Sequence, residues 1–284
     1  MSKEIQGGAI DTHWGKAIPR ARDRMQSRWL VVVVVPALVL GAVGTCFEAA
    51  MTGAVGSLLF PLVFSVVFAG VVLALRSATP PAAGVGLLVC LILALAVRGP
   101  AGLLARPALS ALIALFVLTF AATRYGRKKK EARGLAEARS GRRASQVVAN
   151  LGVAALCASV GWYGGCLAAL AEATADTVSS EVGQALGGPT WLITKFRRVP
   201  AGRDGGVSVG GTLAGMLGAG LVAMAGLSGL ARWRDGVVVF VCACAGLAFD
   251  SLLGASVEER GWLGNDLVNF CSTLFAAGVA WLWL

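Results

Sequence analysis

Apolar runs close to twenty residues long recur along the whole chain, each broken by a short polar or glycine-rich stretch. They fall at about 29–47, 54–75, 82–98, 105–123, 146–161, 163–182, 207–229, 236–256 and 265–284. A helix needs roughly 20 predominantly apolar residues to cross a bilayer. The pattern therefore predicts an all-α, polytopic integral membrane protein with nine spans. A β-barrel would instead show short segments of strictly alternating hydrophobicity, and these are absent.

Composition and charge sharpen this. Of 284 residues, 57% are hydrophobic and only 14% charged, too few charges to coat a soluble domain of this length. The net charge of +10 is concentrated in two places. Residues 1–28 carry six Lys/Arg against three acids, and residues 124–143 carry nine against two. Basic segments beside membrane spans mark the cytoplasmic side. That accounts for the charge better than nucleic-acid binding does, and such segments also attract anionic lipid headgroups. Four crossings between the two stretches put both on one side of the membrane. The expected organisation is a basic cytoplasmic tail (1–28), an apolar four-helix segment (29–123), a basic cytoplasmic loop (124–145) and a five-helix membrane domain (146–284). The amino terminus is expected inside and the carboxyl terminus outside. All seven cysteines lie in apolar stretches without a CxxC pair, and His13 is the only histidine. Disulfides, zinc sites and a Ser–His triad are therefore not expected.

Nearly all polar residues within apolar runs belong to residues 146–284. The span order brings four remote clusters to one level at the inner face: AEATADTVSSEVG, VPAGRDGGVSVGG, AFDSLLGASVEER and GNDLVNF. Glu172, Asp176 and Ser180 are spaced four apart and share one helix stripe; Thr177 and Glu181 form the stripe beside it, and Asn265 and Asn269 repeat the spacing. Charges inside a bilayer are expensive, by about 2.5–3.5 kcal/mol each at its centre on insertion scales. Protonation, pairing with Lys195, Arg198 or Arg203, or a shared divalent cation would each compensate Asp176 and Asp250. A divalent cation explains several acids at once, and Mg²⁺ commonly bridges a few carboxylates and substrate phosphates. Gly205 and Gly206 precede Ser208 at a helix start, where backbone N–H groups and the helix dipole favour an anion. The pairs Gly206/Gly210 and Gly211/Gly215 read instead as close helix packing. Acids, basic residues and a glycine-rich turn together suit a polyphosphate bound beside a lipid head.

ATADTVSSEVG, LITKFRRVPAGRDGGVSVGG and AFDSLLGASVEERGWLGNDLVNF, in that order, resemble the membrane family of uncharacterised domain that contains transmembrane protein 19 and the phytyl-phosphate kinases. Typical members read ADTWASEIG and VPxGTNGGVS. Here Val178 replaces the tryptophan, and Arg203 and Asp204 replace the Thr–Asn pair. A more distant similarity is to phytol and dolichol kinases and the CDP-diacylglycerol synthases. The resemblance implies a kinase that moves a phosphoryl group from CTP or another nucleoside triphosphate to a prenyl monophosphate at the cytoplasmic face, with Mg²⁺. The runner-up is a lipid cytidylyltransferase, and a lipid or ion transporter is a third reading. On this view Asp176, Glu181, Asp250 and Asp266 hold metal and carry catalysis. Lys195, Arg198, Gly205, Gly206 and Ser208 face phosphates, and Ser180, Asn265 and Asn269 orient substrate. Expected partners are the prenyl-lipid phosphate, the triphosphate and the bilayer lipids, with a homo-oligomer left open and no nucleic acid.

Overall fold

The structure, a computed structural model, describes residues 18–51, 55–96, 105–136 and 140–284. His13, most of the expected tail and residues 97–104 lie outside the described residues. Nine long helices are present among those described, in register with the nine apolar runs: α1 (Arg20–Met51), α2 (Leu59–Ala74), α3 (Pro80–Ala96), α4 (Pro107–Arg124), α6 (Ala144–Ser159), α7 (Tyr163–Leu186), α8 (Val209–Ala225), α9 (Trp233–Leu253) and α10 (Asn265–Trp281). A short helix, α5 (Arg127–Ala132), lies in the basic loop. Among the described residues the elements are helical apart from one small antiparallel sheet between α7 and α8. Its strands β1 (Thr190–Leu192), β2 (Arg197–Val199) and β3 (Gly206–Val207) run in the order β2-β1-β3.

α1, α4 and α9 with its extension to Glu258 are long and apolar enough to cross a membrane by length and composition. α2, α3, α6 and α8 are apolar but shorter. Leu62, Val63, Val66 and Val67 on α2, and Leu213 and Leu217 on α8, are exposed. Large exposed apolar faces of this kind suit hydrocarbon rather than water.

α7 is the central helix and touches α4, α5, α6, α8, α9 and α10. Its residues 164–175 are buried on every side, the signature of a helix with no lipid-facing or water-facing stripe. Small residues make this enclosure possible. On the facing helix, a Cβ at Gly211 would lie 2.6 Å from the Ser179 carbonyl oxygen, and one at Gly215 would lie 2.5 Å from that of Ala175. The expected packing role of Gly211 and Gly215 is thus present. Gly206 belongs to β3 rather than to the helix, so its pairing with Gly210 as a packing stripe does not form, because α8 starts only after the Ser208 cap.

One boundary differs from the expected one. Residues 20–28 are not tail but the first turns of α1, because polar side chains there grip the turn before α10. Arg22 donates to the Gly261 carbonyl (3.1 Å), Gln26 to that of Trp262 (2.8 Å), and Gln26 Oε1 accepts from Gly264 N–H (2.8 Å). The bend between α6 and α7 falls at Gly161, whose φ of +78° lies in the left-handed region, and Tyr163, Gly164 and Gly165 form the first turn of α7. Helices from both parts of the chain contribute to one hydrophobic core.

Candidate functional site

The ends of α7 and α9 and the starts of α6, α8 and α10 meet at one end of the bundle. They enclose a largely polar cavity of about 430 Å³. Its wall holds Asp176, Thr177, Ser180 and Glu181 of α7, Asp250 of α9, and Asn265 and Asn269 of α10. The loop and cap residues Arg203, Asp204, Gly205, Gly206 and Ser208 complete it. The four clusters that are remote in sequence therefore share one chamber.

Each position has a local cause. The four-residue spacing puts Asp176 and Ser180 on the cavity stripe of α7, and the Ser180 hydroxyl donates to the Thr177 carbonyl (3.1 Å). Ser208 caps α8, its Oγ accepting from Gly211 N–H (3.2 Å), which satisfies one of the donors every helix start leaves unpaired. Beyond Leu253 the helix widens into one π-type turn, Gly254–Glu258, which carries Glu258 to the cavity rim. Such turns are common at functional sites. A Cβ on Gly254 would lie 2.6 Å from the Gly205 backbone nitrogen, and Gly205 itself has φ +69°. Both glycines are thus required by a backbone-to-backbone approach of the loop to the π-turn, as well as by any anion they cradle.

The charges in the chamber are mixed. Asp250 lies within electrostatic reach of Asp176, Glu258 and Asp204, and Asp176 is faced by the positive Arg142. Asp250 Oδ2 is buried without a hydrogen-bond partner among the described residues. One turn deeper, both carboxylate oxygens of Glu172 are likewise buried and unpartnered, and the side chain packs where a Cβ on Gly246 of α9 would lie 2.5 Å from its Cγ. Glu172 stays outside the cavity wall.

Several expected roles need correction. Among the described residues, no three Asp, Glu, His or Cys side chains are grouped closely enough to hold a metal by themselves. The four-carboxylate cage of Asp176, Glu181, Asp250 and Asp266 therefore does not form. Asp266 points to α1, where its Oδ2 accepts from the Ser27 hydroxyl at 2.6 Å. Glu181 lines the cavity but is ion-paired with Lys130. Asp176 and Asp250 remain together, and the orphaned oxygen of Asp250 fits a cation. Mg²⁺ is commonly held by one or two carboxylates plus phosphates and waters. Lys195 and Arg198 are not in the cavity wall. The β1–β2 hairpin carries both outward, and the Arg198 guanidinium lies 5.8 Å from the Trp191 ring centre.

Their place is taken by residues that sequence reasoning passed over. Arg142 reaches the cavity from the basic loop, with Gln146 and Asn150 of α6 beside it. Asn150 Oδ1 accepts from Asn269 Nδ2 (3.4 Å), which ties α6 to α10. An asparagine inside an apolar helix was the available signal for Asn150. Arg142 had none, because it is one of nine Lys/Arg in residues 124–143. Arg203, expected as a possible partner for the acids, bonds Glu259 at 2.5 Å on the π-turn side.

No solved structure matches the chain. Among curated sequences, it is 37% identical over 182 residues to the uncharacterized membrane protein sll0875 of Synechocystis sp., covering 59% of this chain and 70% of that one. It is 35% identical over 185 residues to protein VTE6, chloroplastic, of Arabidopsis thaliana, covering 59% of this chain and 55% of that one, so it spans little more than half of the plant protein. It is 36% identical over 172 residues to the uncharacterized membrane protein MJ0933 of Methanocaldococcus jannaschii, covering 57% and 70%. The profile described as integral membrane protein DUF92 matches residues 63–277, a stretch that runs from α2 through α10 and contains the whole polar chamber. The chain belongs to the DUF92 family of integral membrane proteins.

Proposed function

We propose that the protein is a lipid-phosphate kinase that transfers a phosphoryl group from CTP or another nucleoside triphosphate to a prenyl monophosphate. The observation that carries this reading is the chamber itself: acids, guanidinium groups, a helix N-terminus and amides from six chain segments line one membrane-end cavity. The motif resemblance to the family of the phytyl-phosphate kinases supports the same class of reaction.

Phosphoryl transfer asks a protein mainly for positioning and charge neutralisation. Asp176 and Asp250 would hold Mg²⁺, which when bound screens the charge on the phosphate oxygens. Arg142, and Arg203 beside its partner Glu259, supply positive charge at the cavity wall. The α8 N-terminus offers unpaired backbone N–H groups near Ser208, where the dipole favours a phosphate. Asn150 and Asn269, already bonded to each other, are placed to fix a hydroxyl or a phosphate oxygen. The basic residues crowd this end of the bundle, which by the positive-inside rule makes it the cytoplasmic end.

Purified protein with labelled CTP, Mg²⁺ and phytyl phosphate tests the reading. CDP and a lipid diphosphate are the expected products; pyrophosphate and a CDP-lipid would identify a cytidylyltransferase instead. Asp176→Asn and Asp250→Asn are each expected to lower turnover by about 10²–10³-fold, the scale seen when one charge-stabilising group is removed from an active site. Full turnover in both variants would refute the assignment.

A further inference from the structure

A second cavity, of about 140 Å³, lies among α2, α3, α4 and α6, in the part of the chain that contributes little to the polar chamber. Its interior is apolar, with Phe68, Phe116, Phe120 and Gly86 among its walls. Its mouth is basic, lined by Arg76, Arg124, Arg127 and Arg142. Arg142 and Asn150 line both cavities, so the mouth of the apolar one adjoins the polar one.

The mouth is a built feature. Arg76 takes φ +52°, a left-handed conformation uncommon outside glycine, and turns the chain sharply after α2. The turn then clasps the basic loop: Arg142 N–H donates to the Ser77 carbonyl (2.9 Å), and Thr79 N–H donates to that of Arg142 (3.0 Å). Gly141, at φ +81°, is packed so tightly there that a Cβ would lie 2.5 Å from the Ala78 nitrogen. Arg124 donates to the Leu75 carbonyl (3.3 Å) and lies 3.9 Å from the Phe120 ring centre.

From the mouth an aromatic ladder runs along α4 and crosses to α2. Phe120 and Phe116 have ring centres 5.7 Å apart, Phe116 and Phe68 5.2 Å, Phe68 and Phe64 6.3 Å, and Phe64 and Phe60 5.6 Å. The result is a continuous apolar wall with the arginine mouth at one end; at the far end the buried Arg106, committed to the Ala94 carbonyl, lies 5.4 Å from the Phe60 ring centre.

We propose that this cleft binds a lipid monophosphate by its chain, with the phosphate held at the arginine mouth and delivered past Arg142 into the polar chamber. Resting on the kinase reading above, it is the acceptor site of that reaction. Charge complementarity selects the occupant: an apolar slot closed by guanidinium groups suits one hydrocarbon chain ending in an anion, and arginine binds phosphate in a bidentate geometry. The volume sets what is recognised. A cavity of about 150 Å³ holds a benzene molecule, so the slot takes the first five or six carbons or so. The remainder of the chain follows the phenylalanine ladder toward lipid, and its length is not read.

The full chain in detergent, without nucleotide, is titrated with radiolabelled dodecyl phosphate, with dodecanol and inorganic phosphate as competitors. Dodecyl phosphate is expected to bind at least about tenfold more tightly than either competitor, a difference of about 1.4 kcal/mol. A Cβ on Gly86 meets nothing within 4 Å, so G86L fills the slot without a backbone clash. It is expected to weaken dodecyl phosphate binding about tenfold or more at unchanged melting temperature. A dodecyl phosphate carrying a diazirine near its head is expected to label wild-type peptides from α2 and α4. Unweakened binding by folded G86L, equal competition by dodecanol or inorganic phosphate, or labelling confined to other helices overturns the proposal. Because no nucleotide is present, intact binding without turnover would indict the proposed reaction and leave the cleft standing.

Discussion

Lys130 stands in a run of three lysines that reads as solvated positive charge, yet it is fully buried. Its Nζ donates to the Ala122 and Thr123 carbonyls at the end of α4 (3.1 and 2.9 Å) and pairs with Glu181 on α7. One residue thus caps a helix C-terminus, where the dipole favours a cation, and neutralises an acid beside the chamber. Breaking a buried pair by removing one partner costs about 3–5 kcal/mol, because the other charge is left uncompensated. Lys130→Met is therefore expected to lower the melting temperature of the purified protein clearly. Lys130→Met combined with Glu181→Met is expected to recover most of the loss. An unchanged melting temperature in the single variant would show that the pair is structurally idle. Asp176 and Asp250 were legible as site residues because acids inside apolar runs are rare and expensive. Lys130 and Arg142 were not, because nothing in a basic run marks which member turns inward.

At the scale of elements, the α7–α8 seam decides how the chamber is closed. Gly211, Gly215 and Gly218 bring α8 onto α7, and Ser208 and Gly183 meet where the seam opens into the cavity. Gly215→Val places methyl groups against the Ala175 carbonyl. Overpacking of this kind costs about 1–3 kcal/mol. It is expected to lower the melting temperature and, by pushing α8 away from α7, to reduce turnover beyond what the stability loss explains. Gly84→Val, at a position where a Cβ meets nothing within 4 Å, is the control and is expected to leave both unchanged. The small-residue spacing on α8 was readable in sequence. The sheet in the 184–206 loop was not, since its strands are only two or three residues long and show no alternation. That sheet is why Lys195 and Arg198 leave the site: pairing of Trp191 with Arg198 fixes a hairpin whose tip projects from the chamber.

For the whole molecule, the alternation of nine helices among the described residues puts the polar chamber, both hairpin strands and most of the basic residues at one end, and the carboxyl-terminal tryptophans at the other. The proposed orientation follows from charge and is open to direct test. Thr194→Cys, on the exposed hairpin, is expected to resist a membrane-impermeant maleimide in intact cells and to react after permeabilisation. Trp283→Cys is expected to react in intact cells. The unsubstituted chain, whose seven cysteines are buried or half-buried along the helices, serves as the blank. Labelling in the reverse pattern would place the chamber on the outer side.

Hydropathy and charge are properties of the chain read in one dimension, and they were sufficient for the number of helices, their alternation and the level at which Asp176, Asp250, Asn265 and Asn269 gather. A bilayer imposes that outcome, because each apolar run must span and each basic loop prefers one side. Which acids face each other is a question of rotation and translation between helices, settled by packing at glycine and alanine contacts that hydropathy does not encode. Only the folded chain therefore decided that Asp266 turns to Ser27 and Glu181 to Lys130, that Arg142 enters the chamber, and that the first helices build a phenylalanine-lined cleft beside it.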